Sequence, residues 1–315
     1  MLDEERIDEL LDEAYSTDDE EEMERLAREV LEMDEENVEA LILLADAGEF
    51  SDEKIDILER ARDILAADVE SLLANEDASF LEDDTGMLYI AVLQRLGFAH
   101  FSEGNDEKAL EIALEILRHD PEGETLGRTL YYTVLLDMKR DAEVLEEALK
   151  DDMESPAMLH ARAIASFRLS GGDRGAYRAL WDAFAAGPEI PFYILGYNAE
   201  PEEDASDEEF EDYNLAVLFE DQWSSAPELI NWLARGTILF GLTASLFPKD
   251  DIEKMMVLAD ALEIADSVEE ALVKVESRPE WGALSRQEKI AEVLSLFSRE
   301  VYLPLSTSGK QGDKK

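Results

Sequence analysis

"LGFAHFSEGNDEKALEIALEILRHDP", Leu96 to Pro121, is the stretch whose reading decides the fold. Its first half carries an apolar face at helical spacing up to Phe101, and Gly104-Asn105-Asp106 then supplies turn residues. Ala109, Ile112, Ala113 and Ile116 recur three and four apart, which makes a second amphipathic helix, and Asp120-Pro121 ends it. A helix, a tight turn and a returning helix form a unit that buries little on its own. The first question is therefore whether the unit recurs.

It does. "LHARAIASFRLSGGDRGAYRALWDAFAAGPE", Leu159 to Glu189, has the same order of faces, turn and proline. Pro121 and Pro188 are 67 residues apart, one short of two 34-residue periods. Between them "TLGRTLYYTVLLDMKRDAEVLEEAL", Thr125 to Leu149, supplies a more divergent unit. The pattern resembles the tetratricopeptide repeat (TPR), an antiparallel helix pair. With Pro121 at repeat position 32, Gly97 falls at 8, Gly104 at 15, Ala109 at 20 and Ile116 at 27. The later units place Leu130 at 8 and Ala142 at 20, then Gly171 at 15, Ala176 at 20 and Ala183 at 27. Small residues at 8 and 20 let paired helices approach closely. Weaker copies occupy "LLDEAYSTDDEEEMERLAREVLEMDEENVEAL" and "ALILLADAGEFSDEKIDILERARDIL", with residues 66–84 as their connection to the central array.

After Pro188 the chain reads "PEIPFYILGYNAEPEEDASDEEFEDYNLAVLFEDQWSSAPELINWL", with Tyr213, Trp223, Pro227 and Trp232 in order. Over roughly residues 85–235 this resembles the suppressor-of-tumorigenicity-type TPR family, which implies a fold and little chemistry. The membrane segments of its larger animal members have no counterpart here, so their location is not carried over. The expected fold class is all-α. It is a right-handed superhelical solenoid of TPR-like helix pairs over about residues 3–247, with additional C-terminal helices at its end. The expected divisions are acidic N-terminal pairs at 1–84, a central array at 85–197, an acidic loop at 198–212, a C-terminal helical region at 213–304 and a disordered tail at 305–315. Within the C-terminal region, Ser285 with Glu288 fits a capping box. The apolar run Leu229–Phe247 carries Asn231, Arg235 and two glycines, and reads as a buried helix pair.

Charge bounds the function. Of 315 residues, 78 are acidic and 28 basic, for a net charge of −50. No large basic surface can form, so direct nucleic-acid binding through phosphates is excluded, and anionic membranes are disfavoured. The acidity is uneven: −27 over residues 1–84, −8 over 85–197 and −15 over 198–315. The absence of cysteine removes disulfides, thiol catalysis and cysteine-ligated zinc. "MLDEERIDELLDEAY" has none of the regions of a signal peptide, so a soluble cytoplasmic protein is expected.

No catalytic motif, metal-ligand spacing or cofactor-binding loop is present, so no enzyme activity, metal or cofactor is expected. His100, His119 and His160 fall on different helices, and Glu115 with His119 reads as a surface pair rather than a ligand pair. The "SGGDRG" of Ser170–Gly175 fits a repeat turn and lacks the phosphate-binding lysine. Trp181, Trp223, Trp232 and Trp281 read as core.

One feature points to a site. Arg95, Arg128 and Arg162 all fall at repeat position 6 of the three central units. The TPR resemblance implies that positions 2, 5, 6, 9, 12 and 13 face a concave groove, which adds Gln94 and Phe98 to the candidate peptide-binding residues. Three arginines at one slot form a ladder for a carboxylate, unless each pairs with a carboxylate of a neighbouring repeat. The expected function is a non-catalytic protein–protein interaction scaffold offering this groove to a peptide or partner protein. The alternative is an acidic inhibitor or DNA mimic occupying a basic nucleic-acid-binding protein. A third account gives the charge no partner: acidic surfaces with few lysines, here 11 against 17 arginines, suit high salt.

Overall fold

The computed structural model describes residues 2–48, 51–75, 79–202 and 204–300. The expected disordered tail, 305–315, lies outside them. The described residues contain sixteen α-helices and no strand. The chain divides into two compact units, residues 1–134 and 135–315.

The first unit holds α1 (Leu2–Tyr15), α2 (Glu20–Met33), α3 (Val38–Ala47), α4 (Ser51–Leu73), α5 (Asp84–Ser102), α6 (Asp106–His119) and most of α7 (Gly127–Asp137). Side-chain caps start several of them, each satisfying backbone N–H groups that have no partner within the helix. Asp19 accepts from Glu21 and Glu22, Asn37 from Ala40, and Asp83 from Thr85. From α1 to α6 each helix packs on the next, as antiparallel pairs in sequence order require. Leu10, Leu11 and Ala14 of α1 meet Leu26, Ala27 and Val30 of α2 and Ala40, Leu43 and Leu44 of α3 in one buried cluster. The spacing rules hold in the α5/α6 pair. A Cβ on Gly97 would lie 2.4 Å from Leu130 Cδ2 and 3.2 Å from Ile112 Cγ2, so those side chains would have to give way. Gly104 turns the chain at φ +71°, a region glycine enters at little cost.

Of residues 66–84, read from the sequence as a connection, 66–73 belong to α4, which packs on α5. For the same reason residues 1–84 are part of the same compact unit as α5 and α6.

The second unit contains α8 (Asp141–Ala148), α9 (Pro156–Ser170), α10 (Arg174–Ala186), α11 (Ile190–Ile194), α12 (Asp207–Ser224), α13 (Pro227–Thr243), α14 (Ile252–Ala261), α15 (Ala265–Glu276) and α16 (Arg286–Arg299). Consecutive packing holds for α8, α9 and α10, but the order then changes. Helix α13 touches α9, α11, α12, α14, α15 and α16, and α16 folds back onto α10, where Trp181 and Phe297 meet at 4.9 Å between ring centroids. A linear stack, in which each pair meets only its neighbours, does not describe these contacts.

The run 229–247 is one buried helix and its terminal turn, not a helix pair. Its glycines serve packing: a Cβ on Gly236 would stand 2.8 Å from Leu180. The acidic stretch 198–212 is likewise shorter as a loop than expected. Helix α12 starts at Asp207 because Ser206 and Glu209 form a capping box. The box expected at Ser285 and Glu288 is present at the start of α16. All four tryptophans are buried.

Candidate functional site

Three of the five residues named from the repeat ruler line one cleft of about 650 Å³ in the first unit: Gln94, Arg95 and Phe98. Helix α5 presents them together because Phe98 is three residues from Arg95 and four from Gln94 along it. The end of α3 contributes Asp46, the start of α4 contributes Lys54 and Leu58, and Leu126 closes one side. Leu58 is buried at the floor, Phe98 and Phe101 are half-buried, and Leu126 is 46% exposed. The cleft is therefore an apolar channel with a charged margin.

Its polar groups differ in how far they are committed. The Arg95 guanidinium donates from Nε to both carboxylate oxygens of Asp46 at 2.9 Å, and from Nη1 to the Ala91 carbonyl at 3.2 Å. Gln94 Oε1 accepts the Leu126 backbone N–H at 2.8 Å, which fixes the approach to α7. Lys54 is half-buried, and among the described residues its ammonium has no ion-pair or hydrogen-bond partner.

The other two arginines lie elsewhere. Arg128, on α7, is half-buried and does not line this cleft. Arg162 belongs to the second unit, where its Nη2 lies 2.6 Å from Asp182 of α10. Arg95 thus holds an acid of the preceding helix pair, whereas Arg162 holds one within its own pair, α9 and α10. Lys54 was not singled out from the sequence. In sequence its repeat is short by a few residues around its turn, so the repeat spacing gave it no position.

The remaining sequence signals resolve as packing. Glu115 accepts from Arg62 Nη2 at 2.6 Å and from the Tyr89 hydroxyl at 2.5 Å, while His119 stacks on Phe80 with centroids 4.2 Å apart. No group of three or more histidine or acidic residues placed to hold a metal occurs among the described residues. No helix among them is long and apolar enough to cross a membrane. His160 is fully buried, and its Nδ1 accepts the Trp223 indole N–H at 3.3 Å, so the neutral ring carries its proton on Nε2. Burial holds its pKa down to about 3.

A second cleft, of about 640 Å³ and confined to the second unit, is walled by Glu189, Tyr193, Tyr197, Asp212, Phe247 and Arg286 among others. Burial, followed by the charges of Glu189, Glu208 and Glu211, raises the Asp212 carboxyl to about 6, against the opposing hydrogen bond from the Glu189 backbone. Glu189 is itself held by Asn198 Nδ2 at 2.9 Å and by Arg286. The far end of the stretch first read as a linker is thus part of a walled surface.

Comparison with protein-family models, curated proteins and solved structures found no match to the chain.

Proposed function

We propose that the chain is a non-catalytic protein–protein interaction scaffold, built from TPR-like helix pairs, whose first unit offers the α3/α4/α5 cleft to a peptide segment of a partner. The observation that carries this reading is that Gln94, Arg95 and Phe98, selected by repeat position alone, line one apolar cleft with Leu58 and Leu126. Helix-pair scaffolds bind through such channels because rigid helices hold a row of side chains without ordering cost, and an apolar floor supplies the affinity. The reading asks for no catalytic group. It narrows the ladder of three arginines to one rung, since Arg95 alone of the three lines the cleft.

The test is a comparison of captured proteins. The full chain and its Phe98→Ala and Leu126→Ala variants would be used as bait, with Val257→Ala, which alters an exposed valine on α14, as the control. A partner that is lost with the first two variants and kept with the control supports the cleft. A set of partners indifferent to both cleft variants overturns it.

The acidic-inhibitor reading rests on a different observation. The outer positions Glu4, Glu5, Asp8, Glu9, Asp12 and Glu13 of α1 are all exposed. A basic partner would be captured by this face, and that capture would be lost by neutralising it while Phe98→Ala left it intact.

A further inference from the structure

Among the described residues, the cleft has two cations on its margin, and only one of them is free to act. Arg95 has its fork closed on Asp46, with Nε at 2.9 Å from both oxygens and Nη2 at 2.9 Å from Oδ2. For Arg95 to take an incoming acid, Asp46 would have to give up its partner, and a charged group stripped of its partner loses much of what the new contact gains. Lys54 carries no such debt. It makes no ion pair among the described residues, it is half-buried, and its stem borders the same channel as Leu58 and Phe98.

Among the described residues the cleft margin carries one aspartate against one lysine and one arginine, a local +1 in a protein of −50. Other charges face Lys54 from its far side. It also borders a smaller cleft with Glu20, Glu21, Glu24, Arg28 and Glu53. Arg28 holds Glu24 at 2.6 Å. None of these acids comes within the 4.0 Å of an ion pair with Lys54. Glu20, Glu21 and Glu53 are exposed and Glu24 is half-buried, and the field of the exposed acids is screened over about 8 Å at physiological salt. A lysine held between acids without joining any of them keeps its hydrogen-bonding capacity for a ligand.

We infer that the cleft takes a peptide bearing an acidic group beside an aliphatic or aromatic side chain, and that Lys54 is the residue that receives the acid. The apolar side chain occupies the Leu58–Phe98–Leu126 channel and the acid sits at its Lys54 end. The inference rests on the cleft being the binding surface, and it assigns the charge-reading role to a residue of α4 in place of the arginine on α5.

The experiment uses short fluorescein-labelled peptides with Leu, Phe or Trp at the centre and Asp, Ser or Lys beside it. Binding to the full chain is read by fluorescence anisotropy at about 0.05 M and about 0.5 M salt. Asp-bearing peptides should bind about twofold to fivefold more tightly than their Ser counterparts at low salt, the upper range of one exposed charge pair, and the gap should close at high salt. Lys54→Glu should reverse the order and favour Lys-bearing peptides, a result that loss of structure cannot produce. The paired change Arg95→Gln with Asp46→Asn, which leaves the local charge unaltered, should keep the preference for Asp. An acid preference that survives Lys54→Glu, or disappears in the paired variant, overturns the inference. Phe98→Ala separates the two levels: it should weaken every peptide regardless of charge. If it does while Lys54→Glu changes nothing, the assignment to Lys54 is wrong and the cleft stands. If no peptide binds, or Phe98→Ala is without effect, the cleft reading falls and takes the inference with it.

Discussion

Arg168 and Asp141 meet at 3.2 Å with their side chains only 14% and 12% exposed. The same guanidinium donates to the Leu136 carbonyl at 2.8 Å and to Ser225 Oγ at 2.9 Å. One side chain of α9 thereby fastens the last turn of α7, the first turn of α8 and the end of α12. A lysine cannot make these contacts, because they use the two ends of a planar fork.

Arg168→Ala should therefore lower stability by about 3 kcal/mol, the lower part of the range for breaking a buried pair, since Asp141 and a backbone carbonyl lose their partner together. Urea unfolding of the single variant, of Asp141→Asn and of the double variant measures the coupling. The double variant should cost clearly less than the sum of the singles. A loss under about 1 kcal/mol for Arg168→Ala would show the pair to be a surface contact in solution.

What could be read in the sequence and what could not divide along the same line. Gly97, Gly104 and Ala109 have a fixed spacing because two lie in the paired helices and Gly104 makes the turn between them, and local geometry leaves periodic marks. The joining of α10 to α16 brings Trp181 against Phe297 over a separation of more than a hundred residues, and no spacing records it. The glycines of α13 suggested a break because glycine serves turns and close approach alike, and only the position of Leu180 tells which. In the cleft, the α5 residues were legible because one helix presents them. Lys54 was not, because its repeat is short of the 34-residue spacing and gives α4 no fixed register.

Asp212 offers a pH-dependent test. Its carboxyl is raised to about 6 in the folded chain against an ordinary 3.8, first by burial and then by neighbouring acids. The folded state thus binds the proton more tightly than the unfolded state, so this group's contribution weakens as pH rises from about 4 to about 6. At pH 7 the ionised group opposes folding, by about 1–2 kcal/mol once solvent screening is allowed for. Asp212→Asn should stabilise the protein by that amount at neutral pH and by almost nothing near pH 4. Chemical unfolding at the two pH values checks it, and an equal effect at both would mean that the carboxyl titrates normally.

His160 works in the opposite sense. Full burial among Phe219 and Trp223 holds its pKa to about 3, whereas the unfolded chain titrates near 6.5. The unfolded state therefore takes up the proton first, and stability falls as pH drops from 6.5 towards 3, by on the order of 4 kcal/mol at the extreme. His160→Gln keeps an acceptor for the Trp223 N–H and cannot titrate. It should start somewhat less stable at pH 7 and lose less on acidification, so the difference between the two proteins should shrink below pH 6. A constant difference would mean that the imidazole is protonated within the fold.

The charge on α1 and α2 decides between partner and solvent. Three arginines there, Arg6, Arg25 and Arg28, pair with Glu29, Glu22 and Glu24 on the surface, and the other acids face water. Beneath them Leu10, Leu26, Ala27 and Val30 are entirely buried, a core that does not depend on salt. An acidic solvent-adapted surface should also be uniform, yet residues 1–84 carry −27 and residues 85–197 only −8. The full chain should accordingly keep its helical circular dichroism in dilute buffer. Deleting residues 1–84 cannot serve as the test, because α4 packs on α5 and the cut would open the first unit. Neutralising Glu5, Asp8, Asp12 and Glu13 leaves that core untouched. It should raise the melting temperature by a few degrees in dilute buffer and hardly at all in 1 M salt, where self-repulsion is screened within about 3 Å. A chain that loses most of its helicity in dilute buffer and regains it in molar salt would make the acidity a property of the solvent it evolved in, with no partner required to explain it.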